Sequence, residues 1–115
     1  MKLVALAAIV AALIVPGAFA SATATTLNGT DGPGFTITLK KGTTKVTKLT
    51  HGTYVIKIAD KSSIHNFHLK GPGINKSTAV GFVGAKTWTV TLKAGKYTYV
   101  CDPHSSFMKG SFTVT

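Results

Sequence analysis

"KTWTVTLKAGKYTYVC", residues 86–101, decides the fold, because it holds two runs of alternating apolar and polar side chains separated by a Lys-Ala-Gly break. Trp88, Val90 and Leu92 fall on one side of the first run, with threonines on the other. In the second, Tyr97, Tyr99 and Cys101 share a side, so the cysteine ends a core-facing row. Period-two alternation punctuated by glycine marks half-buried strands. The same pattern returns in "FTITL" (35–39), "TKVTKL" (44–49), "TYVIKIA" (53–59), "IHNFHL" (64–69) and "GSFTVT" (110–115). No segment keeps a 3.6-residue apolar period, and a short turn within "INKSTAV" (74–80) is the most helix expected. Seven to eight short strands with one apolar face each predict an all-β Greek-key sandwich.

Two matching hexapeptides support that architecture. "LTHGTY" (49–54) and "LKAGKY" (92–97) share Leu-x-x-Gly-x-Tyr, each leading into a strand. The pattern is that of a tyrosine corner, in which the hydroxyl bonds back to the upstream backbone.

The start of the chain addresses the compartment. Lys2, an apolar run from Leu3 to Val15, the breakers Pro16-Gly17 and the small-residue sequence Ala18-Phe19-Ala20 have the layout of a secretory signal peptide. Residues 1–20 are therefore expected to be removed, with cleavage after Ala24 as the alternative, and the run is short for a membrane span. The protein is expected to be exported, periplasmic or extracellular, with membrane association left open. Residues 21–34 read as a polar, glycine-rich leader with one possible first strand, and residues 35–115 as one domain.

Charge narrows the partners. The chain has thirteen lysines, no arginine and three aspartates. Without Lys2 the balance is +9. So basic a domain is drawn to anionic surfaces, either an acidic protein or the cell envelope. Nucleic acid is excluded as an expectation, since the lysines are scattered and the usual base-reading residue is missing.

Cys101 is the only cysteine. Packing, an intermolecular disulfide or nucleophilic catalysis could each explain a lone thiol. A nucleophile needs an oriented base, and three carboxylates in the chain offer little to orient one. A metal explains the neighbours as well. Cys101, His104 and Met108 lie on one loop, and either His65 or His68 adds a second imidazole. Thiolate, imidazoles and thioether form a soft-leaning set that suits copper, whereas zinc rarely uses methionine. His65 opens "IHNFHL" with Phe67 and Leu69 on its face, while His68 has the opposite parity and points outward. His65 is the expected ligand.

"SIHNF", followed 36 residues after its histidine by His-bearing "YVCDPHSSFMKGSFTV" around Cys101, resembles the cupredoxins, the plastocyanin, amicyanin and pseudoazurin group of copper proteins. The likeness spans residues 35–115. It implies one type 1 copper ion cycling between Cu(I) and Cu(II), with His65, Cys101 and His104 equatorial and Met108 axial. It implies that Asn66 ties the histidine segment to the cysteine loop, and that Pro103 keeps the sulfur dry by removing a backbone donor. Phe107 and Pro103 would form an apolar collar for partner docking. The implied function is non-enzymatic electron transfer by a monomer to a redox partner such as an acidic cytochrome, oxidase or reductase. The alternative is a carrier or buffer that delivers copper to another protein. Three departures stand out. Three residues separate His104 from Met108, Val100 replaces a common tyrosine, and Asp102 stands where serine or threonine is usual, with no role assigned to it.

Overall fold

The structure is a computed structural model that describes residues 23–115. The expected signal peptide, residues 1–20, lies outside the described residues. The first sheet runs in the order β3 (Thr44–Lys45), β2 (Ile37–Lys41), β1 (Thr25–Asp31), β5 (Gly52–Asp60) and β8 (Gly84–Leu92). The second runs β4 (Lys48–Leu49), β10 (Lys109–Val114), β9 (Gly95–Val100), β6 (His68–Gly71) and β7 (Ile74–Ser77). Most neighbours are antiparallel; β1 with β5 and β4 with β10 are parallel.

The alternation seen in the sequence sets which faces meet. Tyr54, Ile56 and Ile58 of β5, Val90 and Leu92 of β8, and Tyr97 and Tyr99 of β9 are buried. Trp88, at the outer edge strand, is only half-buried. Two aromatic stacks fill the second sheet's inner face, Phe67 on Tyr99 at 5.7 Å and Tyr97 on Phe112 at 5.2 Å. Burying each such ring stabilises the fold by roughly 1.5–3 kcal/mol. Glycine is required where these rings press on a neighbouring strand. A Cβ on Gly71 would sit 2.1 Å from the Tyr97 ring, and one on Gly110 would sit 2.2 Å from the Tyr99 ring. Both tyrosine corners form. Tyr54 donates to Thr50 O at 2.7 Å, and Tyr97 donates to Lys93 O at 2.9 Å.

Four expectations are corrected. The strands among the described residues number ten rather than about seven to eight. "TKVTKL" is not one strand, because Val46 and Leu49, both buried, are three residues apart and cannot share a face. The chain instead crosses from the first sheet to the second, leaving β3 and β4 in different sheets. "IHNFHL" forms a strand only from His68 onward. His65, Asn66 and Phe67 are consecutively buried, which no alternating strand permits. "INKSTAV" begins as β7, the return arm of a hairpin with β6, and not as a helical turn.

The possible first strand of residues 21–34 forms. Within residues 21–34, β1 lies between β2 and β5 at the middle of its sheet. Its sequence is polar, but Leu27, Gly29 and Asp31 face inward. Gly29 leaves the space that Phe67 fills, since a Cβ there would meet the ring at 2.9 Å.

That inner row ends on two acids. Asp31 and Asp60 are cross-strand partners in the β1–β5 register, 0% and 2% exposed. Asp60 Oδ1 accepts from Ser62 N at 3.1 Å, while both Asp31 oxygens and Asp60 Oδ2 have no other partner. Burial pushes the Asp31 carboxyl up to about 8, and the hydrogen bond and charge of Asp60 add to the rise. Ionising Asp31 here would set a charge in a dry site beside a second acid, which is why its carboxyl holds its proton so far above the ordinary range.

Candidate metal centre

Cys101 follows the last residue of β9 and continues its buried row. The chain then makes a single 3₁₀ turn, Asp102–His104, with Pro103 in the position where a missing N–H costs nothing. The loop is closed by its own backbone. His104 N donates to Cys101 O at 3.0 Å, Met108 N to His104 O at 2.8 Å, and Cys101 N to Met108 O at 3.0 Å. These bonds return the chain into β10 and leave Met108 buried inside the loop. Pro103 is exposed, and Phe107 is 58% exposed.

His65 arrives from the other side, on the irregular segment before β6. Its ring is fully buried, and Nε2 donates to Gly34 O at 2.9 Å. A carbonyl can only accept, so Nε2 carries the proton in the neutral ring and the lone pair sits on Nδ1. That Nδ1 lies 3.6 Å from Cys101 Sγ and 3.2 Å from His104 Nδ1, while Sγ and His104 Nδ1 are 3.5 Å apart. Three donor atoms thus form a nearly equilateral triangle. A point equidistant from the three lies about 2.0 Å from each, which is metal–nitrogen distance and somewhat short of the roughly 2.3 Å usual to a thiolate. The donor set fits copper by geometry and by softness.

The sequence passed over several residues that complete this centre. Phe35, assigned to a strand, instead precedes β2 and stands 59% exposed. Its ring lies edge-on to both imidazoles, 5.3 Å from His65 and 5.1 Å from His104, and 6.0 Å from Phe107. The glycine-rich "DGPGF" before it was the available signal, since such a run ends strands rather than starting them. Gly34, in that same run, contributes only a backbone carbonyl, which no sequence pattern marks.

Asn66 links the two ligand-bearing segments. Its Nδ2 donates to Asp102 Oδ2 at 2.7 Å and to Thr78 O at 3.2 Å, and its Oδ1 accepts from Asp102 N at 2.7 Å. His68 is not part of the triangle. Nor is it a free surface group, for its Nδ1 meets Asp102 Oδ1 at 2.8 Å and its Nε2 meets Asn75 Oδ1. Partial burial raises the Asp102 carboxyl. Hydrogen bonds from His68 and Asn66, with the charges of His68 and Lys70, outweigh that and hold it below its usual value.

The comparisons agree with this geometry. The family described as copper binding proteins, plastocyanin/azurin family, matches residues 21–115. No curated protein matches the chain in sequence. Among solved structures, a rusticyanin mutant at 1.5 Å resolution is 21% identical, with a TM-score of 0.59 over 81% of this chain and 80% of that one. Rusticyanin from Thiobacillus ferrooxidans gives 21% identity and a TM-score of 0.55, covering 81% and 79% of the two chains. Reduced rusticyanin gives 21% identity and 0.56, covering 81% of each. At such identities the structural likeness speaks for the sandwich alone.

Proposed function

Because the chain belongs to the plastocyanin/azurin family of copper-binding proteins, we propose that it carries single electrons between redox partners outside the cytoplasm. The observation that carries this reading is the triangle of His65 Nδ1, Cys101 Sγ and His104 Nδ1, all within 3.6 Å of one another. These three side chains would hold the ion, with the buried Met108 as a further, weaker donor. Copper, when bound, supplies a one-electron couple.

The protein's part is to keep its ligands still. Gly34 O fixes the His65 ring, three backbone bonds fix the Cys101–Met108 loop, and two strands anchor its ends. Ligands that need not move between oxidation states lower the cost of transfer. His65 and Cys101 are sealed from water, whereas the His104 ring is half-buried and faces outward between Phe35 and Phe107. Electrons would pass through that imidazole edge. Phe35, Phe107 and Pro103 supply an apolar surface suited to brief contact with a partner.

Residues 1–20 support export, and among the described residues no helix is long and apolar enough to cross a membrane. We read the protein as a carrier rather than an enzyme. The test is copper loading. Purified protein given Cu(II) should develop the intense visible absorption of a copper–thiolate bond and a reversible one-electron wave. Absence of the band would overturn the copper reading. A band without a reversible wave, together with rapid copper loss to a chelator, would replace the shuttle with a copper carrier.

A further inference from the structure

Among the described residues, five large apolar side chains are more than half exposed: Phe35, Ile64, Val80, Val83 and Phe107. The strand register gathers all five at one end of the sandwich. Asp31, Asp60 and Gly84 are level with one another in the first sheet, as Ser77, His68 and Val100 are in the second. Three of the loops that leave these positions, 32–36, 61–67 and 101–108, build the metal centre. The fourth, 78–83, joins the edge strands β7 and β8 and supplies none of its donor atoms.

The composition of that fourth loop sets it apart. Residues 79–85, "AVGFVGA", carry no polar side chain, although loops are ordinarily polar. Val80 and Val83 are 51% and 57% exposed, and Phe82 is half-buried. The backbone holds them there. Thr78 is buried and pinned to Phe67, its N–H donating to Phe67 O at 3.0 Å and its hydroxyl accepting from Phe67 N at 2.9 Å. Phe82 N then closes a turn on Ala79 O at 3.1 Å, with Gly81 third in the turn at φ 95°, where glycine is favoured. Val80 is left at the tip. Two exposed lysines flank the loop: Lys86 places its ammonium 4.8 Å above the Phe82 ring, and Lys76 places its own 6.0 Å from the Trp88 ring. No acid pairs with either among the described residues, since Asp31 and Asp60 are buried and Asp102 meets His68.

An exposed apolar segment rimmed by polar groups marks a contact with a protein or with a membrane. The flanking charges favour the membrane. Protein interfaces are enriched in arginine and depleted of lysine, and this chain has no arginine at all. Lysine stems lie along apolar surface and keep their ammoniums at the level of lipid headgroups. We propose that the Val80–Val83 loop seats the protein on an anionic lipid bilayer, with the valines entering the interface and Lys76 and Lys86 meeting the headgroups. Phe35, Phe107 and the His104 edge play no part in this contact. Nor does copper, so the seating and the electron-transfer reading stand or fall by separate measurements.

Vesicle flotation tests it, with residues 21–115, which hold all ten strands, because the apolar run at Leu3–Val15 would itself bind lipid. Binding to vesicles of phosphatidylglycerol and phosphatidylcholine in equal parts should exceed binding to phosphatidylcholine alone at least about tenfold. Val80→Ser with Val83→Ser, both at exposed positions and without change of charge, should weaken it about fivefold. Lys76→Gln with Lys86→Gln should weaken it about tenfold. Lys40→Gln with Lys45→Gln, cross-strand partners in the β2–β3 hairpin, should weaken it less than about threefold. Equal losses from the two lysine pairs would reduce the effect to net charge and overturn the site. A valine variant that binds vesicles like the parent would overturn the lipid reading, and a slower reaction of that variant with an acidic redox protein would assign the loop to a protein partner instead. A parent that stays with the unbound fraction would overturn the proposal outright.

Discussion

His65 faces the centre through Nδ1 because the carbonyl of Gly34 occupies its other nitrogen. A ring so held offers its lone pair without a rotamer search. Two substitutions read this directly. Cys101→Ser should abolish the visible copper–thiolate band, while His68→Ala should leave the band in place, since that ring points to Asp102 and Asn75. Loss of the band in His68→Ala would mean the wrong imidazole is assigned. Met108→Leu should keep copper bound but raise the potential, as a weak donor to Cu(II) is removed. Voltammetry of the two proteins decides it. At this scale much was legible. The spacing of Cys101, His104 and Met108 puts them on one loop, whereas His65 rather than His68 reaches Cys101 through an irregular segment to which strand parity does not apply. What stayed hidden was a backbone oxygen, an aromatic taken for strand, and the partners of Asp102. None of these has a period or a motif, because each depends on which loops meet in space.

Strand by strand, the sequence was readable wherever one face was apolar and the other polar. It misled wherever that contrast failed. β1 hid because its inward residues are Leu27, Gly29 and Asp31, of which only one is large and apolar. The segment at 44–49 misled because one run of residues serves two sheets. The acid at the end of β1 gives this element a testable pH dependence. Asp31 titrates at about 8 in the folded protein against an ordinary 3.8. Its folded value is raised, so the native state binds the proton more tightly than the unfolded chain does. The stabilisation is whole below pH about 4 and is lost as pH climbs toward 8, at no more than about 1.4 kcal/mol per pH unit. Urea unfolding of the copper-loaded protein should therefore show stability falling between pH 5 and pH 8. Asp31→Asn should flatten that slope and leave the variant more stable than the parent at pH 8. A parent slope of zero would mean that burial does not raise the Asp31 carboxyl.

For the whole molecule, charge and polarity are segregated. All twelve lysines among the described residues are exposed, and none forms an ion pair there. The apolar residues Phe35 and Phe107, by contrast, crowd the His104 ring, and Ile64 is exposed one residue before His65. Under the proposed function, an acidic partner would be drawn by long-range attraction and seated by this uncharged face. We expect reduction by an acidic redox protein to slow at least several-fold between low and physiological ionic strength, as a screened encounter must. Stopped-flow rates that ignore salt would count against an acidic partner. The net charge was plain in the composition. The uncharged face was not, because it is assembled from loops 29 residues or more apart.

Among the described residues, β8 closes one side of its sheet with nine residues that pair on one side only, with β5. Such a rim is a template on which a second copy could add itself, strand against strand, into a growing ribbon. Two cations stand guard, Lys86 within the strand and Lys93 just past its end, with Lys86 resting 4.8 Å above the Phe82 ring. Mutual repulsion between identical molecules would keep the rim free at modest salt, so acetylating these amines should make the protein polymerise more readily than the parent.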